Sequence, residues 1–190
     1  IELAKKNDLY ILSDEIYSQY AKAGWKSILS YNYEKSIVTQ SFSKSHAMTG
    51  FRVGYAIADS KIIEKMAKLE ALCLTNVSEP MQYVAMKALE ADTSNNTNTV
   101  QKRLELLEQK ANDMGLEFVV PDGAMYIFAR VNKEGFDGVQ FANSTLEKGL
   151  AVAPGEGFGD YKNFIRISAC QEETALIEGM NILRDILKGN

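Results

Sequence analysis

An α/β fold, with a mostly parallel sheet followed by a smaller α+β domain, is predicted by three features of the chain. Short continuous apolar runs end in polar residues; amphipathic stretches separate them; and past residue 113 strands and helices alternate in a different order. The 190 residues, 46% hydrophobic, suffice for one large domain or two small ones. We place the domains at 1–113 and 114–190. Ile1 is not an initiator methionine and the first residues read as a helix end running into a strand, so the chain reads as a piece of something longer.

Leu9, Tyr10, Ile11 and Leu12 form an apolar run that stops at Ser13 and Asp14, the pattern of a parallel strand buried on both faces, with Asp14 at its carboxyl end. Residues 36–41 (β-branched, then polar) and 53–58 are further strands. From Ser60 to about Leu72, Ile62, Ile63, Met66, Ala67 and Leu69 recur at helical spacing. Pro80 suits the first turn of the next helix, whose inner face is Met81, Val84, Ala85, Ala88 and Leu89. Residues 91–98 read as a polar break, and 100–114 as a helix closed by Gly115.

Beyond that glycine, residues 116–120 and 124–131 read as strands joined through Pro121, Asp122 and Gly123. A helix over 139–148, a strand over 150–153, a glycine-rich loop over 154–159, a strand over 163–169 and a helix over 172–187 complete the chain. The loop is no dinucleotide fingerprint, because it precedes no helix.

Twenty-one basic against 25 acidic residues leave a formal charge of −4, which offers no broad field for nucleic acid or anionic membrane. No apolar run approaches the roughly 20 residues needed to span a bilayer. A cytoplasmic protein is the default reading. Cys73 and Cys170 have no metal-ligand spacing and are expected to be reduced, buried thiols, and no metal site is expected.

The chemistry concentrates in Ser41-Phe42-Ser43-Lys44, followed by Gly50, Arg52, Gly54 and Tyr55. A lysine amine is the nucleophile for an aldehyde, and an arginine fork matches two phosphate oxygens. Upstream, Asp14 and Tyr17 offer a carboxylate and a phenol; downstream, Arg166 sits among apolar residues, where an unpaired charge is costly and calls for an anion. In open α/β sheets ligands gather beyond the carboxyl ends of strands, where Asp14 and Lys44 both fall.

These positions, in this order, resemble the carboxyl-terminal part of the fold-type I pyridoxal-phosphate-dependent aminotransferases of the aspartate aminotransferase family. The resemblance implies that Lys44 forms the Schiff base with pyridoxal 5'-phosphate and serves as general base. It further implies that Arg52, Ser41 and Ser43 hold the phosphate, that Asp14 keeps the pyridine nitrogen protonated, and that Tyr17 donates to the phenolate oxygen. Arg166 would bind the substrate α-carboxylate. Blander alternatives are a helix cap for Asp14, packing for Tyr17, surface roles for Arg52 and the serines, and a structural salt bridge for Arg166. His46 is read as packing or as supporting the residues that meet the cofactor, Trp25 as lying in a core or interface; Glu15 is not read as catalytic.

The implied reaction is transamination between an amino acid and a 2-oxo acid by a homodimer, with these residues alone expected to be inactive. The family's amino-terminal cofactor contacts are missing. No arginine lies between Arg52 and Arg103, so the partner-subunit arginine that selects dicarboxylates has no evident counterpart. Carbon–sulfur lyase chemistry and the effector domain of an aminotransferase-like transcription regulator stay open as alternatives.

Overall fold

The computed structural model describes residues 1–189. Two compact units divide at Thr97 and Asn98, each with its own sheet. The sequence places the change near residue 113 instead. The difference lies in one helix that begins before the division and runs to Asp113, whose Leu104, Leu107 and Ala111 are buried in the core of the second unit.

The first unit opens with α1 (Glu2–Lys6) and β1 (Ile11–Asp14), then β2 (Ser36–Ser41), α2 (Phe42–Ser45) and β3 (Gly54–Ala58). Strand β1 pairs with β2 in parallel, Asp14 opposite Thr39, while β3 runs antiparallel to β2, Gly54 opposite Ser41. The direction of β3 follows from connection length. The 12 residues between the two strands hold only one turn of α-helix and one 3₁₀ turn (Thr49–Phe51), with no helix long enough to carry the chain back across the sheet. The chain therefore re-enters the sheet at the end where it left.

The expectation that residues 9–12 are buried on both faces is not met: Leu12 is 68% exposed, and Leu9 and Tyr10 are exposed too. Strand β1 lies at the edge of a three-stranded sheet, and among the described residues no element covers that face of it. Helices α3 (Ser60–Cys73) and α4 (Glu79–Leu89) follow. Ala85 joins Phe42 and Val53 in a small core, with Met81 and Ala88 packed against it, whereas Leu89 and Val84 of the predicted inner face are exposed. Trp25 is also exposed rather than in the core.

Helix α5 (Ser94–Asp113) starts six residues before the predicted Val100, inside the supposed polar break. The Asp92 carboxylate accepts the Ser94 N–H at 2.9 Å and the Ser94 hydroxyl at 2.9 Å, so the polar cluster starts the helix instead of delaying it. Those bonds hold the Asp92 carboxyl below the ordinary carboxylate range, the backbone bond from Ser94 contributing most.

In the second unit β4 (Glu117–Phe118), β5 (Tyr126–Arg130), β6 (Ala153–Pro154) and β7 (Phe164–Ser168) form an antiparallel sheet in the order β4-β5-β7-β6, with α6 (Gly138–Glu147) and α7 (Glu173–Lys188). Alternation decides which face is which. Ile127, Ala129, Ile165 and Ile167 are buried with Leu107, Leu176, Met180 and Leu183, and Tyr126, Phe128, Phe164 and Arg166 occupy the opposite face. Each fully buried Leu or Ile contributes about 1.5–3 kcal/mol. The strands predicted at 116–120 and 150–153 shrink to two residues each, since only those positions find pairing partners.

Both cysteines are exposed, not buried as expected. Cys73 ends α3, a helix without buried residues, and Cys170 follows β7 where the strand leaves the sheet, its Sγ 3.0 Å from Met125 Sδ. No described helix is long and apolar enough to cross a membrane, and no group of metal-ligating side chains occurs among the described residues.

Candidate active site

The first unit brings its polar candidates to one end of its sheet. Asp14 is the last residue of β1, and Ser41 and Gly54 face each other where β2 ends and β3 begins. Two strand spacings, about 10 Å, separate β1 from β3. Asp14 caps no helix: the next helical turn, 3₁₀ at Ser18–Tyr20, begins after Tyr17 without a side-chain cap. Its carboxylate instead accepts the Thr39 hydroxyl from the neighbouring strand at 3.2 Å.

Lys44 is the third residue of α2. The Ser41 hydroxyl caps that turn by accepting the Ser43 N–H at 3.0 Å, and donates to the Val53 carbonyl at 3.3 Å. Lys44 Nζ lies over the Tyr17 ring, 5.9 Å from its centroid. The Tyr20 hydroxyl donates to the Lys44 carbonyl at 2.9 Å. The segment after β1 and the turn after β2 therefore meet.

Arg52 has left-handed backbone at φ 54°, as has Ala47 at φ 54°. For residues other than glycine this costs of order 1–3 kcal/mol each, and such strain clusters at functional sites. Arg52 is exposed, and one guanidinium N–H donates to the Thr49 carbonyl at 3.0 Å. The Thr49 hydroxyl donates in turn to the Ser43 carbonyl at 3.1 Å, which ties the arginine to the lysine-bearing turn. Gly54 is required by close approach: a Cβ there would lie 2.7 Å from the Gln40 carbonyl oxygen.

Glu15, beside Asp14, is buried with its carboxylate accepting the Ser13 hydroxyl at 3.1 Å and the Ile28 N–H at 2.9 Å, so it fastens the loop that returns to β2. His46 packs on Phe42, ring centroids 5.2 Å apart, with Nδ1 2.8 Å from the Ser45 hydroxyl.

In the second unit Arg166 is half-buried on the outer face of β7, because alternation sends Ile165 and Ile167 inward. Its guanidinium carbon lies 4.4 Å from the Tyr126 ring centroid and 4.5 Å from that of Phe158. Among the described residues no carboxylate pairs with it, so the salt-bridge alternative is not realised there. The glycine-rich loop forms a 3₁₀ turn, Gly155–Phe158, that delivers Phe158; a Cβ on Gly155 would lie 2.3 Å from the Tyr161 carbonyl oxygen.

Sequence reasoning missed Tyr20, Thr39, Thr49, Tyr126 and Phe158. Alternation in β5 and β7 puts Tyr126 on the same face as Arg166, whose directly opposite partner is Phe128, whereas nothing local singles out the others.

The sequence model of the family described as aminotransferase class I and II matches residues 1–178. An aspartate aminotransferase of Thermotoga maritima is 35% identical over 98% of this chain and 50% of its own length. The (5-formylfuran-3-yl)methyl phosphate transaminase of Methanocaldococcus jannaschii is 38% identical over 98% of this chain and 52% of its own. A crystal structure of aspartate aminotransferase from T. maritima superposes with a TM-score of 0.93 at 34% identity, covering 99% of this chain and 50% of that one. The chain thus spans about half the length of the curated relatives it matches. By family, by fold and by its relatives, it belongs to the class I and II aminotransferases, of fold type I.

Proposed function

We propose that this chain provides the lysine-bearing and carboxylate-binding parts of a pyridoxal-phosphate-dependent aminotransferase that exchanges an amino group between an amino acid and a 2-oxo acid, working as a cytoplasmic homodimer. The observation that carries this reading is Lys44 Nζ set against Tyr17 at the sheet end where Asp14, Ser41 and Arg52 also lie. An amine, a carboxylate, a phenol, hydroxyls and a guanidinium are the donor set that a phosphorylated pyridine aldehyde requires, so the residues fit the cofactor. When bound, it supplies an aldehyde and an electron-withdrawing ring.

Lys44 Nζ would hold the aldehyde, and its free amine would move a proton at the substrate α-carbon. The Asp14 carboxylate, kept in place by Thr39, favours a proton on the ring nitrogen. Tyr17 orients the ring through its hydroxyl. Arg52 has one N–H on Thr49 and further N–H groups for phosphate oxygens. Ser43 adds its hydroxyl, and Ser41 contributes by turning its proton away from the long bond to Val53. Arg166 takes the α-carboxylate through its N–H edge, with the Tyr126 and Phe158 rings 4.4 and 4.5 Å from its guanidinium carbon.

Supplying the full-length protein with pyridoxal phosphate and a panel of amino acids and 2-oxo acids tests the reaction. Formation of a new amino acid matched by a new 2-oxo acid is expected. Release of ammonia with pyruvate instead marks elimination chemistry and overturns the transamination reading.

A further inference from the structure

We propose that Tyr20 is a positioning residue: its hydroxyl fixes the main chain of Lys44, and so the reach of the lysine amine relative to Tyr17 and Asp14. What the amine then does rests on the transamination reading; that Tyr20 holds it does not.

Helix α2 has four residues, far below the ~12–15 at which an isolated helix becomes even marginally stable. Its position must come from bonds outside itself, and its last carbonyls lack helical partners. The Lys44 carbonyl receives the Ala47 N–H at 3.3 Å, a long bond, and the Tyr20 hydroxyl at 2.9 Å. Tyr20 is 4% exposed, so this bond is shielded from competing water. The 3₁₀ turn that carries Tyr20 is itself anchored to β2, Gln40 Nε2 donating to the Ser18 hydroxyl at 2.9 Å.

Tyr17 immediately precedes that turn, and its ring faces Lys44 Nζ. One short segment therefore contacts the lysine at both ends, carbonyl and ammonium. The same segment continues back to Asp14. Ser41, Thr49 and the buried Phe42 also hold the turn, but the Tyr20 bond is the one made to the main chain of Lys44 itself, so releasing that carbonyl would let the amine swing off Tyr17.

Two readouts move in opposite directions if this is right. In the full-length protein, Tyr20→Phe keeps the buried ring and deletes only the hydroxyl. Trace labelling of amines with acetic anhydride, read by peptide mass spectrometry, is expected to acetylate Lys44 about threefold to tenfold faster than wild type, the factor one modest hydrogen bond represents. The exposed Lys87 serves as internal reference and should stay unchanged. Capture of pyridoxal phosphate at Lys44, trapped with borohydride, should slow by a similar factor.

Site-specific 3-fluorotyrosine at position 20, a stronger donor of nearly the same size, guards against a folding defect and should lower Lys44 acetylation below wild type. Unchanged Lys44 acetylation in these variants, or an equal rise at all lysines, overturns the proposal. If wild-type protein captures no pyridoxal phosphate at Lys44, the transamination reading falls, and the acetylation comparison still decides the role of Tyr20.

Discussion

The aromatic ring of Tyr17 lies 5.9 Å from the Lys44 ammonium, although 26 residues and a full strand separate them in the chain. The ring gives the cation a favourable face, and its hydroxyl is proposed to meet the cofactor. Tyr17→Phe should preserve the first and lose the second. The dissociation constant for pyridoxal phosphate, measured by titration, is expected to rise about fivefold, the value of one hydrogen bond. An unchanged constant would leave Tyr17 as a packing residue.

Gly54 gives a purely steric test. Alanine there sets a Cβ 2.7 Å from the Gln40 carbonyl oxygen, a backbone atom that cannot turn aside. Gly54→Ala should destabilise the first unit by about 1–3 kcal/mol, the usual cost of overpacking, and lower the thermal midpoint. It should also disturb cofactor capture, because the strand shift falls next to Ser41.

For Arg166 the expected effect is on substrate affinity. Lysine retains the charge but cannot present two parallel N–H groups or stack a planar cation on the Tyr126 and Phe158 rings. Arg166→Lys should raise KM for amino acid and 2-oxo acid alike by roughly tenfold to a hundredfold, as loss of charge-assisted hydrogen bonds implies. Cofactor capture at Lys44 should be unaffected, and steady-state kinetics beside borohydride trapping separates the two.

Asp92 links pH to the start of α5. Its folded-state carboxyl is held below the ordinary value of 3.8 by the Ser94 backbone and hydroxyl bonds. A lowered folded-state value stabilises the native form above 3.8, and that contribution disappears as pH falls through the folded-state value. Asp92→Ala should therefore melt earlier than wild type at neutral pH, and the gap should close in acid. A gap that persists below the carboxylate range would contradict the assignment.

Much of this organisation was legible in advance, for identifiable reasons. Strand ends at Asp14 and Ser41 were marked by the switch from apolar to polar residues, and the helix over Ser60–Cys73 by its periodicity. The burial of β1 was not legible, since an apolar run such as Leu9 to Leu12 records that a surface needs covering, not what covers it. The apolar run around Arg166 does not show where its side chain goes, because strand alternation gives adjacent residues opposite faces, Ile165 and Ile167 inward and Arg166 outward. Tyr20 and Thr49 act through hydroxyls that reach backbone carbonyls 24 and six residues away, and such bonds have no signature in local sequence.

The measurement closest to the central claim is borohydride reduction of the full-length protein incubated with pyridoxal phosphate, followed by peptide mapping. One equivalent of reduced cofactor on Lys44, lost in Lys44→Ala, is the expected result. Stoichiometric attachment to another lysine, or none to Lys44 at saturating cofactor, would contradict it.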